Sequence, residues 1–97
     1  MFVGIARLII DLPASESLKD KRQVVKSVLA RVNNQFKLAA AEIGSLDSRR
    51  SAEIGLACVS GSPTVARQVI ERAVNWIEET RPDIELTTIE IDVLQGI

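Results

Sequence analysis

FVGIARLIIDLPASESLKDKR, residues 2–22, sets the plan of the chain: an alternating strand, a proline stop and a capped helix start. Over 2–12 every even position is apolar or small: Phe2, Gly4, Ala6, Leu8, Ile10 and Leu12. Side chains alternate across a strand, so these six share one packed face. The odd positions Val3, Ile5, Arg7, Ile9 and Asp11 make a mixed second face. Pro13 ends the strand, because it has no N–H to give to a ladder. Ser17 is a good N-cap, and Asp20 three residues later completes a near capping box with Asp in place of Glu. Leu18, Val25, Val28, Leu29, Val32 and Phe36 then recur at helical spacing and predict a helix over 18–36.

Two strands are expected next, over 38–44 and 52–60, joined by the polar hairpin loop Ser45-Leu46-Asp47-Ser48-Arg49-Arg50-Ser51. Ile54, Leu56 and Cys58 alternate inward, and Glu53, Gly55, Ala57 and Val59 take the other face. Ser62 as N-cap and Pro63 at the first helical position open a second helix. Its apolar face is Val65, Ala66, Val69, Ile70, Ala73, Trp76 and Ile77. It stops before Arg81-Pro82-Asp83, since a proline disfavours helical geometry in the residue before it. The last strand, over 85–94, points Thr87, Ile89, Ile91 and Val93 at the core. Leu86, Thr88, Glu90, Asp92 and Leu94 point away from it. The order β-α-β-β-α-β defines an α+β, ferredoxin-like βαββαβ sandwich. The expected sheet is four-stranded and antiparallel, in the order 4-1-3-2. Right-handed crossovers put both helices on one face. Residues 1–97 make a single domain of ordinary size.

Composition narrows the function. No stretch approaches the roughly 20 apolar residues of a membrane span, and the N-terminus lacks a basic leader region. With the single cysteine Cys58, these features lead us to expect a cytoplasmic protein. The chain has no histidine, which removes the commonest general base and zinc ligand. We therefore expect no enzyme, no metal site and no cofactor.

Charge is sorted along the chain. Residues 18–37 contain Lys19, Lys21, Arg22, Lys26, Arg31 and Lys37 against Asp20 alone, a formal +5 in a chain of net −1. The remainder is therefore −6. Such sorting gives a field that attracts an anionic partner despite a near-zero total. Lys19, Lys21, Arg22 and Lys26, extended by Arg49 and Arg50 in the hairpin, are the expected phosphate-contacting residues. The open sheet face carries no aromatic for stacking bases. Its aliphatics suit protein contact instead. Val3, Ile5, Arg7, Ile9 and Val59 are the expected interface residues of a weak homodimer.

The pattern L-P-x-x-x-S-L-K-D-K-R-x-V-V-K-S, Leu12 through Ser27, resembles the YlxP-like family, a bacterial family of unknown function. The likeness extends to Phe36, Ala41-Glu42-Ile43, Asp47 and the third strand through Ser60. It implies a small cytoplasmic ferredoxin-like protein. In that family the gene often neighbours those of transcription and translation factors, including a ribosome-binding factor, which implies an RNA- or ribosome-linked role. Members often carry an aromatic and then a glutamine where this chain has Arg49 and Arg50, which shifts any hairpin contact towards electrostatics. Two functions are therefore expected. The first is a non-enzymatic RNA- or ribosome-associated protein binding phosphates through its basic first helix. The alternative is a protein-interaction module, as a homodimer or with another partner, working through the open sheet face.

Overall fold

A computed structural model describes residues 1–97. Strand β1 (Phe2–Asp11) is followed by helix α1 (Leu18–Phe36), strands β2 (Ala39–Gly44) and β3 (Ser51–Ser60), helix α2 (Pro63–Thr80) and strand β4 (Glu85–Gln95). The sheet order is β2-β3-β1-β4, and every neighbouring pair is antiparallel. This is the ferredoxin-like α+β fold with one face of the sheet open. The alternation read in the sequence is the alternation in space. Ala6, Leu8, Ile10 and Leu12 are buried with Ile54 and Leu56 beneath Val25, Val28 and Val32 of α1 and Ile70, Ala73 and Ile77 of α2.

The helix ends are built as their sequences dictate. Ser17 Oγ accepts from the Asp20 N–H, and the Asp20 carboxylate accepts from the Glu16 N–H. Ser62 Oγ caps α2 by accepting from the Val65 N–H. Lys37 closes α1 in a left-handed conformation, with its N–H on the Asn33 carbonyl. Phe36 and Trp76 meet edge to face between the helices, ring centres 6.1 Å apart.

One part of the expected pattern is overturned by a bulge. Ile9 pairs with Thr88 but Ile10 pairs with Leu86, so Thr87 is an extra residue in β4. Its hydroxyl donates to the Ile9 carbonyl. An inserted residue reverses side-chain parity beyond it. Leu86 therefore turns from the open face onto the core, where it packs against the buried cluster as Ile84 does, and Thr87 is exposed. The Cys58 side chain is only partly buried and reaches the Ala66 carbonyl at 3.5 Å.

Two local contacts yield predictions. A Cβ added to Gly4 would sit 2.7 Å from the Ala66 carbonyl oxygen and 3.0 Å from Ile70 Cγ1. Backbone cannot give way cheaply there, so Gly4→Ala should cost about 1–3 kcal/mol in denaturant unfolding. Arg81 sits at the exit of α2, donating through Nε and Nη2 to Asp83 and through Nη1 to Ser27 of α1. Those hydrogen bonds hold the Asp83 carboxyl below its ordinary value. A depressed carboxyl stabilises the fold above its unfolded pKa, and that stability is lost as pH falls through the folded pKa. Asp83→Asn should cost about 0.5 kcal/mol at neutral pH, as for a solvent-screened pair. The difference from the parent should vanish once thermal unfolding is followed into the acid range where Asp83 is protonated.

Candidate nucleic-acid interface

Of the six residues expected to contact phosphate, Lys21 is placed elsewhere. It is fully buried, whereas Lys19, Arg22, Lys26, Arg49 and Arg50 are exposed. The reason lies in helical geometry. Lys21 precedes Val25, Val28 and Val32 by four, seven and eleven residues, the spacing of a single buried line. Its four methylenes pack with that line while the ammonium leaves at the end of the core. There Nζ donates to the carbonyls of Ser45 at 2.8 Å, Ser51 at 3.3 Å and Leu46 at 3.4 Å.

Glu42 Oε2 lies 3.0 Å from the same ammonium. It is buried, yet makes no hydrogen bond of good geometry. The two facts agree physically: an ammonium has three protons, and the three carbonyls take them. Glu42 is held by charge alone, as the counterion of a buried cation.

This cluster fixes the hairpin. Ser45 is in a left-handed conformation, φ 57°, and its carbonyl also accepts from the Ser48 N–H. Ser48 Oγ accepts from the Ser51 N–H. Arg50 is tied on both sides: its carbonyl accepts from the Leu12 N–H, and its Nε donates to the Ser15 carbonyl. Arg50 is thereby set against the loop that leads into α1, and Arg49 next to it stays free of ion pairs.

Along α1, Lys19, Arg22 and Lys26 stand at i, i+3 and i+7 on one exposed face. None is within ion-pair distance of a carboxylate, because the four ion pairs of the molecule use only Arg7, Lys21 and Arg81 as cations. On the open sheet face Arg7 bridges Glu53, at 2.9 Å, and Glu90. The hydrogen bond to Glu53 and then that to Glu90 raise the guanidinium above its ordinary pKa. Of the expected interface residues there, Val3, Ile5 and Ile9 are partly buried, while Arg7 and Val59 are exposed.

Fold and surface together define a small ferredoxin-like protein with a basic first helix and an open sheet face. The chain belongs to the family described as protein of unknown function (DUF503), which it matches over residues 3–91. It is 38% identical over 71 residues to the uncharacterized protein YlxP of Bacillus subtilis (strain 168), an alignment covering 73% of this chain and 76% of that protein. No helix of the structure is long and apolar enough to cross a membrane.

Replacing Lys21 by methionine keeps the aliphatic stem but leaves three carbonyls and the Glu42 carboxylate without a cation. We expect destabilisation by about 3–5 kcal/mol in chemical unfolding, the cost of breaking a buried pair from one side. Glu42→Gln keeps the three carbonyl bonds but leaves the fully buried ammonium without a counterion, so it should be destabilising to a comparable degree.

Proposed function

We propose that the protein is a non-enzymatic, RNA- or ribosome-associated protein that contacts phosphates through Lys19, Arg22 and Lys26, with Arg49 and Arg50 at the same end of α1. One observation carries this reading: Lys19, Arg22 and Lys26 share one exposed face of α1, and none of them is within ion-pair distance of a carboxylate. Arg7, Lys21 and Arg81 each have a carboxylate partner. Lys19, Arg22 and Lys26 have none and lie in the first half of the helix. Lys19 and Arg22 crowd its positive end, a locally unfavourable placement that argues for another use.

The chemistry follows from the side chains. Unpaired lysines and arginines on a rigid helix neutralise phosphates as point charges and displace condensed counterions. Such contacts position a nucleic acid without reading its bases. No aromatic residue stands on the open sheet face, and Phe36 and Trp76 pack on each other. Base stacking has no part in this reading. At physiological ionic strength the screening length is about 8 Å, so close contacts persist and long-range steering is weak.

The test is the triple substitution of Lys19, Arg22 and Lys26 by glutamine. All three are outside the buried line of α1, so thermal unfolding should stay near that of the parent. Affinity for single-stranded RNA and for ribosomal subunits should fall for every sequence. The slope of log affinity against log salt should shrink by about one unit for each phosphate that the variant no longer neutralises. Equal binding by parent and variant at every salt concentration would refute phosphate contact by α1.

A further inference from the structure

The open sheet face plays no part in that reading, and its relief is specific. Gly55 of β3 has no side chain, and Ile43 of the edge strand β2 lies across it; a Cβ there would be 3.1 Å from Ile43 Cγ2. Ile43 thereby separates two adjoining depressions. One, of about 300 Å³, is lined on the open face by Ala39, Ala41, Gly55 and Ala57. The other, of about 500 Å³, lies over Ile5 and Arg7 and is walled by Glu90 and Asp92. The first offers mostly apolar surface. The second offers carboxylates: Arg7 is already engaged by Glu53 and Glu90, and Asp92 has no ion-pair partner. One cation against Glu53, Glu90 and Asp92 leaves the surroundings of this depression at −2, and Asp11 on the same face adds a further negative charge.

That balance selects among occupants. Four strands of six to eleven residues, spaced about 4.8 Å apart and rising about 3.3 Å per residue, make a face of roughly 600 Å². A stable dimer buries about 800 Å² on each partner. A second copy would have to use the whole face, setting one acidic surplus against another. A helix about 10 Å wide needs only the two depressions. We infer that this face docks a cationic amphipathic helix of a protein partner. An aliphatic side chain fills the depression over Gly55 and Ala57, and a lysine or arginine beyond Ile43 meets Glu90 and Asp92. The surface is separate from the basic face of α1, and its occupancy is independent of RNA binding.

The experiment titrates the isotope-labelled full chain with a synthetic leucine–lysine amphipathic helix of about 18 residues, long enough to hold its fold on contact. A leucine–glutamate counterpart serves as control, and both titrations are followed by amide shifts. We expect the cationic peptide alone to bind, with shifts centred on Ile5, Ile43, Gly55 and Ala57. Asp92→Lys, which leaves the Arg7 ion pairs intact, and Ile43→Ser should each weaken binding about tenfold, as removal of a charge partner or an anchor does. The double variant Glu78→Lys/Glu79→Lys on α2 should bind like the parent. Comparable binding of the anionic peptide, shifts centred on α2, or indifference to Asp92→Lys would overturn the inference. So would a concentration-dependent dimer of the chain alone, seen by sedimentation and abolished by Ile43→Ser, which would give the face to a second copy.

Discussion

The Lys21 ammonium is the interaction on which one end of the molecule depends. A cation removed from water costs several kcal/mol unless its charge and all its protons are matched. Here Glu42 matches the charge, and Ser45, Leu46 and Ser51 take the protons. These partners come from the last part of β2, the hairpin loop and the start of β3. Helix α1 therefore docks at this end only when the hairpin holds one conformation, and the hairpin holds it only when α1 is docked. The left-handed Ser45 and the Arg50 bonds to Leu12 and Ser15 belong to the same arrangement.

That requirement also changes how the motif S-L-K-D-K-R is understood. Ser17 and Asp20 cap the helix, Leu18 and Lys21 face inward or partly so, and Lys19 and Arg22 face water. The three cations of one short motif thus divide between structure and surface. The two that stay outside, with Lys26, are free of carboxylates, whereas the buried one brings its own. Burial of Lys21 lowers the exposed surplus of residues 18–37 from +5 to +4, because its counterion Glu42 lies on β2 and not on α1.

Missing side chains shape the two faces of the sheet. Gly4 allows α2 to approach β1 so closely that the Ala66 carbonyl oxygen lies 2.7 Å from where a Cβ would stand. Gly55 allows Ile43 to lie flat across β3 on the opposite face. The first tightens the covered side, where dense packing supplies stability. The second creates relief on the open side, where a flat strand of branched residues would have offered none. Arg7, clamped between Glu53 and Glu90, keeps that open face ordered across three strands.

Sequence by itself determined the order of elements, the strand faces of β1 and β3, both N-caps and the sheet order. Each of these rests on short-range periodicity or capping chemistry, which is local information. The exposed set Lys19, Arg22 and Lys26 was legible for the same reason. Lys21 was legible in principle, since its spacing to Val25, Val28 and Val32 is helical, but a lysine reads as surface until its partners are known. Those partners are Glu42 and carbonyls 24 to 30 residues away, and no local pattern announces a set of carbonyls converging on one ammonium. The inward turn of Leu86 was likewise decided by tertiary structure. A bulge at Thr87 arises from pairing with β1, which lies at the other end of the chain, and a one-residue insertion reverses every side chain beyond it.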